Sequence, residues 1–140
     1  MLTEKKRAVI DTNIIISAFI SSFGPCAQIF ELFLKGDILN YTSEDIIQEL
    51  EEVIHRPKFI GCIETYDKQF MIDSFRSLSL VISPIAKEKA IRDDPDDDKV
   101  VNCALASGAA IITGDNHLLS LGSYEGIPIL SPKQFLESLK

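Results

Sequence analysis

The feature that most constrains this chain is the stretch Ala8-Val9-Ile10-Asp11-Thr12-Asn13, an apolar run that ends in a carboxylate and two small polar residues. Read as a central strand, Ala8 to Ile10 would put Asp11 at the strand's carboxyl end. In open α/β sheets that edge is where ligands bind. Asp11 also suits a plainer role, as N-cap of the apolar helix expected over Ile14–Ile20. Thr12 and Asn13 are alternative caps that would leave its carboxylate free for a ligand.

The rest of the chain alternates in the same way. Pro25 suits a first helical position, and Ile29, Phe30, Phe33 and Leu34 recur at helical spacing before Gly36. A second strand is expected over Ile38–Thr42, then a helix capped by Ser43 that runs to about His55, before Arg56-Pro57. One or two helices over Lys58–Leu78 would place Ile63, Phe70, Met71 and Phe75 inward. Leu80–Ile82 reads as a strand, and Asp94-Pro95 opens a helix ending near Gly108. Ala110–Thr113 reads as a buried strand, followed by a short helix through Leu118 and Leu119. Ile127–Leu130 is expected at a sheet edge because Pro128 lacks a donor. Ser131-Pro132 starts a last helix with Phe135, Leu136 and Leu139 inward. Strands alternating with helices predict an α/β fold, with a central parallel sheet covered on both faces. No linker, repeat or low-complexity stretch divides residues 1–140, so one domain is expected.

Composition narrows the function classes. At 46% hydrophobic and 25% charged, the 140 residues have the balance of a globular protein. No apolar run approaches the ~18–20 residues of a membrane span. The apolar stretch after Lys5-Lys6-Arg7 is interrupted by Asp11 and Asn13, unlike a signal peptide, so a soluble cytoplasmic chain without a membrane partner is expected. Cys26, Cys62 and Cys103 are odd in number and widely spaced, which favours reduced packing thiols over disulfides or zinc. A net charge of −7 argues against broad electrostatic attraction to nucleic acid. It leaves room for an enzyme whose bound cation inverts the local sign.

Four places can deliver a carboxylate to one pocket. Besides Asp11, the helix after Ser43 carries Glu49 and Glu51 on opposite flanks of the stripe Ile46, Ile47, Leu50, Val53 and Ile54. Periodicity does not choose between them. In Asp93-Asp-Pro-Asp-Asp-Asp-Lys99, capping and helix-dipole complementarity account for Asp94, Asp96 and Asp98. Asp97 instead falls at the centre of the face made by Val100, Val101, Ala104 and Leu105. An inward charge there needs a partner, a metal or a raised pKa. Thr113-Gly114-Asp115-Asn116 repeats the opening pattern of a buried strand and then an acid, with a capped turn as its plainer reading. Carboxylates gathered this way repel one another unless they bind a hard cation, and Mg²⁺ or Mn²⁺ fits oxygen donors. Such a centre suits phosphoryl chemistry. No Ser–His–Asp set or Walker-type glycine loop competes for the role.

Taken in order, these blocks resemble the PIN-domain ribonucleases, particularly the toxin components of prokaryotic toxin–antitoxin systems. The resemblance rests on Val9–Ile14, Glu49-Leu50 with Arg56-Pro57-Lys58, Arg92–Val100, Thr113–Leu119 and Ile129–Phe135. It implies a three-layer α/β/α sandwich and metal-dependent endonucleolytic cleavage of RNA. It also implies Asp11, Glu49, Asp97 and Asp115 as the catalytic and metal-holding set, with Glu49 rather than Glu51. Thr12, Asn13, Asp94, Thr113 and Asn116 would be auxiliary. A homodimer and a protein antitoxin are the partners it implies. Two other classes stand beside this reading. A PIN-like module kept only for binding would be expected to lose its acids. An aspartyl-nucleophile phosphatase of the haloacid-dehalogenase kind would want a second Asp where Asn13 stands.

Overall fold

Ala8, Val9 and Ile10 are all fully inaccessible to solvent, the condition of a strand covered on both faces. The computed structural model describes residues 6–84 and 95–140, and of residues 95–98 the backbone alone. Strand β1 (Lys6–Ile10) lies between β2 (Ile38–Thr42) and β4 (Ala110–Ile112), parallel to both. The sheet runs β3-β2-β1-β4-β6-β5, with β3 at Leu80–Val81, β5 at Ser123–Tyr124 and β6 at Ile127–Leu130. All pairings are parallel except that of β5 with β6.

Among the described residues seven α-helices flank the sheet: α1 (Thr12–Ile20), α2 (Pro25–Lys35), α3 (Glu44–Ile54), α4 (Thr65–Leu78), α5 (Pro95–Ser107), α6 (Asn116–Leu119) and α7 (Pro132–Ser138). Their ends follow local chemistry. Gly36 closes α2 in the left-handed region (φ 84°), where its N–H reaches the Leu32 and Phe33 carbonyls. Ser131 and Gln134 form a reciprocal capping box on α7, at 3.1 and 2.9 Å. Among the described residues no single helix is long and apolar enough to cross a membrane.

The topology sets the position of the site. From β1 the chain crosses to β2 on one side, and from β4 it crosses to β6 on the other. The crossovers therefore diverge at the carboxyl ends of β1 and β4 and leave a crevice there.

Several side chains and one strand depart from the sequence expectation. β6 is internal, because the two-residue β5 hooks back antiparallel and becomes the edge. Pro128 is tolerated because the ladder to β4 begins one residue later, at Ile129. Phe70 is 42% exposed, since α4 buries Met71, Ile72, Ser74 and Phe75 and leaves Phe70 on the flank, edge-on to Phe19. Leu139 stands past the last turn of α7 and is exposed. The three thiols are free, yet only Cys103 is buried, and its burial pushes the thiol pKa up to about 12. Cys62 is exposed rather than packed.

Candidate active site

Carrying the strand register one step past β1 and β4 puts Asp11 opposite Thr113. The backbone confirms the alignment. Asp11 N–H donates to the Ile112 carbonyl at 2.9 Å, and Thr113 N–H to the Leu130 carbonyl at 2.9 Å. The same counting places Ser43 beside Asp11 and Ser131 beside Thr113. A polar row thus crosses the carboxyl edge of four parallel strands. Ser43, Asp11 and Ser131 each cap the helix that leaves that edge. Chain reversal demands the caps, and parallel topology brings them side by side.

Asp11 is only 6% exposed. Its Oδ2 accepts from the Thr113 hydroxyl at 2.8 Å, and its Oδ1 accepts from Asn13 N–H at 3.2 Å. Asp11 itself therefore caps α1, the plainer of its two roles in the sequence, and neither Thr12 nor Asn13 takes that task. Thr113 is fully buried, and its Oγ also accepts from Asp115 N–H at 3.0 Å. One hydroxyl thus couples both strand-end acids. Asp115, half-buried, caps α6 by accepting from His117 N–H at 2.7 Å. Thr12 is buried, whereas the side chains of Asn13 and Asn116 are exposed beside the two acids.

Glu49 stands on α3. Ile46, Ile47, Leu50, Val53 and Ile54 bury the stripe, Glu51 and Glu52 face solvent, and the Glu49 side chain retains 17% exposure. The structure therefore separates the two flanks that periodicity left equal. Helix α3 packs against α1, the helix that Asp11 caps, and against α5. From α5 the Lys99 ammonium stands 3.5 Å from Glu49 Oε2. The side chain of Asp97, in the first turns of α5, and the whole of Asp94 lie outside the described residues.

Among the described residues, no three Asp, Glu, His or Cys side chains form a cation cage by themselves. Asp11 and Asp115 are joined through Thr113, while Glu49 is joined to Lys99. As carboxylate oxygens the donors are of the kind a hard divalent ion takes: one buried, a second half-buried, and a third already facing a positive charge.

Two residues that matter here carry weak sequence signals. Asn40, fully buried in β2, accepts from Ile10 N–H at 2.9 Å and donates to the Ser79 hydroxyl at 2.9 Å. It supports the strand that ends at Asp11, and an amide inside an apolar strand was its only mark. Lys99 is the lone cation of an acidic run, a position easily read as solvated surface.

The strand-end acids and the diverging crossovers define an α/β protein with a ligand edge. A family model of the PIN domain matches residues 7–117, and the chain belongs to that family. It is 34% identical to an uncharacterized protein of Methanocaldococcus jannaschii, MJ1680, over 97% of this chain and 93% of that one. In fold it is similar to a chain of VapBC2 from Rickettsia felis, solved bound to a DNA fragment from their promoter. That similarity has a TM-score of 0.60 at 17% identity, and covers 89% of this chain and 98% of that one.

Proposed function

We propose that this chain is a Mg²⁺- or Mn²⁺-dependent endoribonuclease, a single PIN domain over residues 1–140 acting as the toxin of a toxin–antitoxin pair. The observation that carries the reading is the Asp11 carboxylate, nearly buried at the topological switch point and held by the Thr113 hydroxyl. Burying a charge is costly without compensation, and a nearly buried carboxylate at a ligand-binding strand edge is suited to a cation. Asp11, Glu49, Asp97 and Asp115 would hold the ion. When bound, it supplies Lewis-acid polarisation of a phosphodiester oxygen and a lowered pKa for attacking water.

The protein's own groups set the geometry. Thr113 orients Asp11 and fixes the turn that presents Asp115, while the exposed Asn13 and Asn116 amides would contact substrate. A cation also resolves the charge problem, because a chain of net charge −7 needs local positive charge to accept a polyanion. An antitoxin partner is supported by family membership and by the fold shared with a chain of VapBC2. The homodimer is part of the same reading.

The test is Mg²⁺-dependent cleavage of a structured RNA by wild-type and Asp11→Asn protein, with circular dichroism as the fold control. Loss of cleavage with a native spectrum is expected. Cleavage retained by Asp11→Asn would overturn the assignment.

A further inference from the structure

The sheet splits at its carboxyl edge, between β1 and β2. These strands pair from Lys6 opposite Ile38 only as far as Ala8 opposite Asn40, although β1 runs on to Ile10 and β2 to Thr42. The end of β1 stays with β4, through Ile10 opposite Ile112 and the bond from Asp11 N–H. The end of β2 goes with β3, through Tyr41 opposite Leu80, Thr42 opposite Val81, and Ile82 N–H donating to the Thr42 carbonyl at 2.8 Å. The split therefore opens beside Asp11, at the tip of β1, and ahead of Ser43, where β2 launches α3.

Asn40 stands where the two strands part. Lys6 N–H donates to the Asp37 carbonyl on the β2 side, and such bonds recur evenly along a parallel ladder, so the Ile10 N–H is the next donor due after Ala8. Asn40 Oδ1 takes that donor at 2.9 Å, and its Nδ2 donates to the Ser79 hydroxyl, just past α4, at 2.9 Å. The asparagine is fully buried. A β-branched apolar residue is the ordinary occupant of such a strand position. A continued ladder would give Ile10 a backbone acceptor without burying an amide. Departures of this kind from local preference collect at functional sites.

We infer that Asn40 is a positioning residue for Asp11: its amide holds β1 and β2 unzipped beyond Ala8 and so sets how far Asp11 stands from the start of α3. This inference rests on the nuclease reading above. With the ladder open, Asp11 is placed by β4 and by the Thr113 hydroxyl. With the ladder closed, Ser43 N–H would reach the Ile10 carbonyl and draw the tip of β1 to the ordinary strand spacing of about 4.8 Å. The Oδ1 bond tethers Ile10, and the Ser79 hydroxyl keeps the amide from turning away.

The test combines nuclear magnetic resonance with steady-state cleavage of a structured RNA in Mg²⁺, on the full chain, in wild type and Asn40→Val. In wild type, couplings across hydrogen bonds should link the Ile10 amide to the Asn40 side-chain carbonyl carbon. In Asn40→Val the Ile10 coupling should move to the Tyr41 backbone carbonyl, and a new one should join Ser43 N–H to the Ile10 carbonyl. The kcat should fall about ten- to hundredfold, the scale of a displaced reacting group, with KM within about twofold. An Asn40 that only supports the fold would lower the melting temperature and leave both the pairing and the kcat of folded protein unchanged. An open ladder in Asn40→Val, an unchanged kcat, or a raised KM with kcat intact overturns the inference alone. If Asn40→Val does not fold, Ser79→Ala decides: loosening the amide should lower kcat about two- to fivefold, and wild-type kcat there overturns the inference. Wild-type protein without Mg²⁺-dependent cleavage overturns the nuclease reading and this inference together.

Discussion

The two halves of the candidate site are built to different tolerances. At the ends of β1 and β4, Asp11, Thr113 and Asp115 are tied by hydrogen bonds of 2.8 to 3.2 Å that involve backbone N–H groups and one buried hydroxyl. At the α3–α5 junction, Glu49 and Lys99 meet through long side chains at 3.5 Å. The first half is positioned by the sheet register, which cannot change without moving the core. The second is positioned through the torsions of two long side chains. One acid is thus fixed by the strands, and the other is positioned through its helix and its own longer side chain.

Asp11→Ala should break the rigid half most severely. It leaves the Thr113 hydroxyl and Asn13 N–H without their acceptor, a loss of about 2 kcal/mol from the cap and the buried hydrogen bond together. Urea unfolding would measure it, and wild-type stability in this variant would show that Asp11 is not held as described. Thr113→Val is the next test. It removes the hydroxyl that bonds both Asp11 Oδ2 and the Asp115 N–H, at a cost on the order of 1–2 kcal/mol, and Thr113→Ser should recover most of it because the hydroxyl returns. Cleavage should fall in Thr113→Val and recover in the serine variant.

On the second half, Glu49→Gln should abolish Mg²⁺-dependent cleavage yet change stability by less than about 1 kcal/mol, as expected of a partly exposed ion pair. A loss as large as that of Asp11→Ala would erase the contrast between the halves. The smallest effect is expected at Thr42, at the end of β2. Its hydroxyl is fully buried and has no hydrogen-bond partner among the described residues, so Thr42→Val should be neutral or stabilising by about 0.5 kcal/mol in thermal melts.

Legibility differed between the halves for the same physical reason. The strand-end acids showed in the sequence because a buried strand followed by a polar cap is a local pattern, readable in Val9–Asn13 and again in Ile111–Asn116. Glu49 did not stand out from periodicity, because both flanks of an amphipathic helix look alike until a neighbouring element covers one of them. Phe70 was misplaced for that reason too, and Lys99 was hidden inside a charge run. The edge position expected of β6 came from Pro128 alone, and no local signal announced that Ser123–Tyr124 would fold back to cover it.

By itself, then, the sequence determined the elements and their caps: Ser43, Gly36, Ser131 and the acids at the strand ends all act through bonds spanning a few residues. The tertiary structure alone decided that Asp11 lies beside Thr113, 102 residues away, and that Glu49 rather than Glu51 is withdrawn from water beside Lys99. Those placements depend on which strands become neighbours and on which helix covers which flank. They are set by burial summed over the whole core, not by any local run of residues.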